Sequence, residues 1–180
     1  IFGEALHPVL AANPATRVVV PAAEAVASTV LEATKNWPVD PIVLDPRGDA
    51  GAAGEKQCAF QAADVALAAS GTVSLEQAHA GTPMVVAYDL NWLTWQIMSR
   101  MARIDTVTLV NLVTGRKVVP EFLGPACTPQ AISEALLALL NDKGAHAAQK
   151  AAMQETMEKL GAGDEAPGLR AARSVLAHLV

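Results

Sequence analysis

The feature that most constrains the fold is the alternation of short β-branched runs with longer segments of helical periodicity. Runs rich in Val, Ile, Leu and Ala predict strands at residues 17–21, 41–45, 64–68, 83–87 and 107–110. The segments between them carry apolar residues at helical spacing and end at glycine or proline. Strands that alternate with helices through short connections form parallel sheets covered on both faces. The sequence therefore predicts an α/β, Rossmann-like domain.

Composition limits the kinds of partner that this chain can have. Hydrophobic residues make up 52% of the chain, yet no uncharged apolar run approaches the roughly 18 residues that cross a bilayer. The net charge is −5 and no cluster of Lys and Arg stands out, so nucleic acid is excluded as a partner. Cys58 and Cys127 fit neither a disulfide framework nor a zinc site, which favours a reducing cytosol.

The first candidate site is the small-residue turn at Ser70, Gly71 and Thr72, between a predicted strand and the helix over residues 73–80. In parallel sheets, ligands bind beyond the carboxyl ends of the strands. Free N–H groups and the positive end of a helix dipole can hold a phosphate there. One turn later, the Glu76 carboxylate can accept hydrogen bonds from two vicinal hydroxyls, as on a ribose. An ordinary capped helix remains the alternative interpretation.

The second candidate site is the polar loop that follows the predicted strand at residues 107–110. Arg116 can bind a diphosphate through two parallel hydrogen bonds, Asn111 can bond to a phosphate or a sugar hydroxyl, and Glu121 can accept from a sugar. A polar surface loop is the alternative. We expect this loop to share the binding edge of the sheet with the turn before Glu76, because both follow strands.

Other chemistry-bearing residues give weaker indications. His79 follows Glu76 by three residues, but nothing nearby supplies a nucleophile, so a surface histidine is expected and no catalytic residue is assigned. Trp92 and Trp95 are expected to pack in the core or at an interface. The chain has neither a Gly-x-Gly-x-x-Gly fingerprint nor a Walker-type Gly-Lys-Ser/Thr motif, which argues against NAD enzymes and P-loop NTPases.

Together these segments resemble the lipid-A-disaccharide synthase family, glycosyltransferases of the GT-B type. The matching motifs, in the same order and at similar spacing, are residues 69–76, 81–88, 93–94, 110–116 and 119–123. Two positions depart from the family pattern. Val110 stands where a proline is usual, and Asp89 stands where an arginine is common. Because the second change reverses a charge, no phosphate contact is assigned to Asp89.

The resemblance implies an inverting enzyme that transfers 2,3-diacylglucosamine from UDP to 2,3-diacylglucosamine 1-phosphate, without metal or other cofactor. It implies a peripheral location on the cytoplasmic face of the inner membrane. The residues that it assigns to the UDP-sugar donor are Ser70, Gly71, Thr72, Glu76, Asn111, Arg116 and Glu121. The catalytic base and the acceptor site are expected in an N-terminal domain upstream of Ile1, so this chain alone is expected to be inactive.

The same resemblance divides the chain in two. Residues 1–163 are expected to form the donor-binding domain, truncated at its N-terminus, and residues 164–180 a helix that crosses back to the missing N-terminal domain. An apolar stripe of Leu169, Ala172, Leu176 and Leu179 needs a partner surface, and a homodimer stays open. Two alternative functions also stay open. One is another GT-B-like enzyme such as a UDP-N-acetylglucosamine 2-epimerase, and the other is a non-catalytic nucleotide-sugar-binding module.

Overall fold

A computed structural model describes residues 1–48, 52–69, 71–91, 94–96, 106–163 and 167–178. The helices are α1 Phe2–Ala12, α2 Ala27–Thr34, α3 Ala52–Ala62, α4 Thr72–Ala80, α5 Leu109–Thr114, α6 Pro129–Asn141, α7 Lys143–Lys159 and α8 Pro167–Ala177. The strands are β1 Val19–Pro21, β2 Ile42–Leu44, β3 Ala66–Ala68, β4 Met84–Tyr88 and β5 Glu121–Leu123. Within these ranges, no helix combines the length and apolar character that a membrane crossing requires.

Every strand pair in the described residues is parallel. Strands β1 and β2 form one sheet, and β3, β4 and β5 form a second sheet in that order. In the second sheet Ala66 lies opposite Met84, and Val86 lies opposite Glu121. The parallel α/β architecture predicted from the sequence is therefore confirmed.

Strand β4 is the centre of the core, because its two faces are both covered by helices. Val85 and Ala87 point to one face, where they pack with residues of α1 and α6, namely Ala5, Val9, Ile132, Leu136 and Leu139. Met84 and Val86 point to the other face, where they pack with residues of α4, α5 and α7, namely Ala78, Val110, Ala152 and Met153. A strand buried on both sides carries a continuous apolar run, which is how it was recognised in the sequence.

The prediction of a strand at residues 107–110 is wrong. Thr108 caps α5, which begins at Leu109, and the third strand of this sheet lies later, at Glu121–Leu123. The Glu121 carboxylate accepts hydrogen bonds from the backbone N–H groups of Val107 and Thr108, which a strand would need for its ladder. A contact distant in sequence thus overrides a local β preference. Asn111 and Arg116 consequently precede a strand instead of following one.

Helix α7 is tied to the sheet by Gln149, whose side chain is fully buried. Its amide oxygen accepts from the Met84 N–H at 2.7 Å, and its nitrogen donates to the carbonyl oxygens of Met84 at 3.0 Å and Val118 at 3.1 Å. These are backbone groups at the entry to β4 and on the approach to β5. One side chain therefore satisfies three backbone groups that the ladder leaves open.

The ends of α4 and α6 follow local sequence signals. Gly81 ends α4 with φ 73° and ψ 25°, and the Thr82 N–H bonds back to the Gln77 carbonyl oxygen, as in a Schellman motif. Thr128 caps α6 by accepting from the Ala131 N–H, and Pro129 occupies the first helical position. Residues adjacent to each helix end therefore determine where α4 ends and where α6 begins.

Candidate functional site

The junction between β3 and α4 is open at the carboxyl end of the strand. Gly71 caps the helix with φ 120° and ψ −152°, a conformation adopted almost only by glycine. Gly71 and Thr72 are exposed, and apart from its neighbours along the chain no described residue has a heavy atom within 4 Å of the position that a Cβ on residue 71 would take. The backbone can therefore approach a ligand closely here. Ser70, the third residue of the predicted turn, lies outside the described residues.

Glu76 lies one turn into α4, where its side chain is 41% exposed. Its Oε2 forms an ion pair with the Nζ of Lys56 on α3, a side chain that is 39% exposed. The Lys56 ammonium also lies 5.4 Å from the centre of the Phe60 ring. An ion pair this exposed contributes no more than about 1 kcal/mol, because water screens it. The ion pair holds the Glu76 carboxylate near Lys56, and the carboxylate remains accessible to a ligand.

A cavity of about 250 Å³ lies beyond the carboxyl ends of β1 and β2. Its lining residues are Pro21, Ala22, Ala23, Glu24, Leu44, Pro46 and Lys56. Lys56 therefore belongs both to this cavity and to the ion pair with Glu76. The cavity was not predicted from the sequence, because its walls come from three separate stretches of chain and no motif in any one of them indicates a cavity.

Asp45 and Arg47 form a second ion pair, in the loop after β2. Arg47 Nε donates to Asp45 Oδ1 at 2.9 Å, and Arg47 Nη1 donates to the Ser28 hydroxyl of α2 at 2.6 Å. The hydrogen bond from Arg47 lowers the pKa of Asp45 to about 2. Both side chains are therefore charged at neutral pH. This pair was not anticipated either, although its two members are adjacent to the end of a predicted strand.

Asn111 is buried in α5 and uses all of its amide hydrogen-bonding groups within the protein. Its Nδ2 donates to the Val119 carbonyl oxygen at 2.9 Å and to Glu121 Oε1 at 3.1 Å. Its Oδ1 accepts from the N–H groups of Val118 and Val119, both at 2.9 Å. Asn111 thereby fixes the connection from α5 to β5.

Glu121 accepts several hydrogen bonds next to Asn111. Its Oε1 accepts from the hydroxyls of Thr106 and Thr108, each at 2.6 Å, and from the Thr108 N–H at 2.8 Å. Both threonines are buried. The sequence predicts that both residues bind a ligand, Asn111 a phosphate or sugar hydroxyl and Glu121 a sugar. In the structure their polar atoms bond to each other and to neighbouring parts of the chain, and the ligand contacts stay a prediction. The two threonines were not singled out by sequence reasoning.

Arg116 is exposed and lies just after the end of α5, where it pairs with Glu155 of α7. A hydrogen bond from Lys159 and the charge of Arg116 lower the pKa of Glu155. A chain enters a parallel strand at its amino end, so the connection carrying Arg116 reaches β5 from that side, whereas Gly71 follows a carboxyl end. The expectation that this loop and Glu76 share one strand edge is therefore wrong for Arg116.

Of the histidine and two tryptophans singled out in the sequence, His79 and Trp95 lie within the described residues, where neither shows a contact that indicates a catalytic role. His79 is exposed on α4, which confirms the expected surface histidine. A Cβ on Gly124 would lie 2.7 Å from the Trp95 ring, so this indole packs against backbone, as expected of a packing residue. Trp92 lies outside the described residues. Across the described ranges, no three His, Cys, Asp or Glu side chains are grouped as metal ligands would be.

Comparison with known proteins identifies relatives across nearly the whole chain. The profile of the family described as Lipid-A-disaccharide synthetase matches residues 49–171. The lipid-A-disaccharide synthase of Ruegeria pomeroyi is 57% identical over 99% of this chain and 44% of its own length. Those of Rhodospirillum centenum and Paramagnetospirillum magneticum are 42% and 41% identical, each over 97% of this chain. This chain spans less than half the length of each relative, at 42% and 44% for the last two.

Proposed function

Because this chain belongs to the lipid-A-disaccharide synthetase family, we propose that it is the donor-binding part of an inverting glycosyltransferase. The whole enzyme transfers 2,3-diacylglucosamine from UDP to 2,3-diacylglucosamine 1-phosphate at the cytoplasmic face of the inner membrane. Since GT-B chemistry takes place between two domains, the chain by itself is expected to bind UDP without transferring sugar.

The observation that carries this proposal is the open junction between β3 and α4 with Glu76 one turn beyond it. A phosphate of the donor lies at the α4 N-terminus, where Gly71 and Thr72 are exposed and the helix dipole is positive. The ribose diol binds the Glu76 carboxylate, which is accessible at 41% exposure. The cavity beyond β1 and β2 adjoins this carboxylate through Lys56 and gives room for the rest of the nucleotide.

The resemblance assigns four further residues to the donor site. We propose that Asn111 and Glu121 act by fixing the α5–β5 connection, because their polar atoms are already engaged there. Arg116 reaches β5 from the amino end and pairs with Glu155, so no contact with the phosphate at Gly71 is proposed for it. Ser70 adjoins the phosphate-binding junction in sequence and belongs to the same proposal.

Replacing Glu76 with glutamine tests the proposed function. The change should weaken UDP binding by about 1–3 kcal/mol, the range for a hydrogen bond to a charged group. Isothermal calorimetry on the 180-residue chain compares UDP with 2′-deoxy-UDP. The loss should be much smaller for the deoxy ligand, because one of the hydroxyls bound by the carboxylate is already missing.

Glu32→Gln is the matched control, since Glu32 of α2 is another exposed glutamate that pairs with a lysine, Lys35, and neither side chain lines the cavity beyond β1 and β2. It should leave both affinities unchanged. Equal losses for the two ligands would reject the ribose role of Glu76. Failure of the unaltered chain to bind UDP would contradict the proposed function itself.

We also propose that residues 164–180 dock on the upstream domain of the longer enzyme. Helix α8 exposes Leu169, Val175 and Leu176 by 59%, 62% and 62%, so its apolar face lacks cover within the described residues. Hydrogen exchange should show strong protection over residues 169–178 only when the upstream half is present, because an isolated helix of this length is marginal in water. Equally strong protection in a monomer of this chain would show that α8 belongs to this domain.

A further inference from the structure

Lys56 lies between the Glu76 carboxylate and the cavity beyond β1 and β2. Its Nζ pairs with Glu76 Oε2, and its side chain lines the cavity together with Leu44 and Pro46. Its ammonium lies 5.4 Å from the centre of the Phe60 ring. These contacts come from α4, from the end of β2 and from α3 itself. A lysine held by three elements has fewer accessible rotamers than an exposed lysine normally has.

We propose that Lys56 is a positioning residue that orients Glu76 for the ribose diol. The inference rests on the proposed function. Glu76 is nearly half exposed, and a free glutamate side chain must be ordered when a ligand binds. A cation on Oε2 favours the rotamers that aim the carboxylate toward α3 and the cavity. Lys56 thus orders the acceptor before the nucleotide arrives.

The ion pair leaves the carboxylate able to bind the diol. A carboxylate has about four acceptor positions on its two oxygens, and the ion pair with Lys56 is made by Oε2. The attraction to Lys56 is weakened by water at this exposure, so a small rearrangement on binding costs little. Ordering one long side chain in advance improves affinity by about threefold to tenfold.

A double-mutant cycle on UDP affinity, with Lys56→Met and Glu76→Gln in the 180-residue chain, tests this role by calorimetry. Lys56→Met should weaken UDP binding by about threefold to tenfold. In the Glu76→Gln background, Lys56→Met should weaken UDP binding by less than about twofold, because there is no longer a carboxylate to orient. Lys56→Arg should restore most of the affinity, since a guanidinium also pairs with a carboxylate.

Lys35→Met is the matched control, because Lys35 pairs with Glu32 on α2 in a similar exposed contact, and it should leave UDP affinity unchanged. Equal losses in the two backgrounds would show that Lys56 acts on the ligand by its own charge, which overturns the positioning role. Unchanged or tighter binding by Lys56→Met also overturns it. Absence of UDP binding by the unaltered chain would contradict the proposed function instead. Thermal unfolding monitors each variant, and Lys56→Gln replaces Lys56→Met if the methionine variant does not fold.

Discussion

Replacing Gln149 with leucine is expected to lower the free energy of unfolding by about 3–5 kcal/mol, since each buried polar group left without a partner costs about 1–3 kcal/mol. Leucine has similar bulk but offers no donor or acceptor. The N–H and carbonyl of Met84 and the carbonyl of Val118 would all lose their partner. Because these groups lie where α7 meets the sheet, the loss should affect the whole domain and not one end of a helix.

Urea unfolding followed by circular dichroism measures this effect. Gln154→Leu is the matched control, because Gln154 is an exposed residue of the same helix whose amide bonds to the Glu158 side chain. The control should change stability by less than about 0.5 kcal/mol. A loss below about 1 kcal/mol for Gln149→Leu would mean that water or local rearrangement replaces the lost bonds, and the anchoring role would be rejected.

Replacing Asn111 with leucine is expected to cost about 3–4 kcal/mol of unfolding free energy for the same reason, with three backbone groups left unpaired. The Val119 N–H and carbonyl and the Val118 N–H all depend on the Asn111 amide. Glu121 would also lose a donor. Release of the α5–β5 connection should in addition weaken UDP binding, if that connection shapes the donor site as proposed.

Denaturant unfolding and UDP titration of the same preparation separate the two effects. Asn141→Leu is the control, because Asn141 is exposed at the last residue of α6. It should leave both stability and affinity close to those of the unaltered chain. Weaker UDP binding by Asn111→Leu without loss of stability would indicate a direct ligand contact, contrary to the structural role argued for its amide.

The features that were predictable from the sequence depend on near neighbours along the chain. The strand at Met84–Tyr88 is a buried apolar run next to Pro83, and the end of α4 is fixed by Gly81. Both signals lie within a few residues of the structure that they specify. The same holds for the turn at Gly71, where the small residues indicate a close approach of backbone to a ligand, although binding there remains a proposal.

The features that could not be predicted depend on residues far apart in sequence. Val107 and Leu109 have strand-forming neighbours, but the hydrogen bonds that the backbone of Val107 and Thr108 donates to Glu121 decide the conformation of that segment. Gln149 looks like any polar residue in a helix until Met84, 65 positions earlier, is placed beside it. The role of Lys56 likewise could not be predicted, because it depends on the ion pair with Glu76 on the next helix. The sequence shows which side chains are polar. Their hydrogen-bond and ion-pair partners are determined by the packing of the helices and strands.

The backbone of Gly71 makes the β3–α4 junction sensitive to chirality and largely indifferent to size. With φ 120° and ψ −152°, residue 71 is close to the mirror image of an ordinary β conformation, which a D-amino acid would adopt without strain. Beyond the adjacent residues of the chain, no heavy atom of the described part lies within 4 Å of a Cβ at this position, so a steric clash is not what disfavours a side chain. Alanine and much larger residues should therefore be penalised alike at this position, because every genetically encoded residue other than glycine carries a side chain of the L configuration.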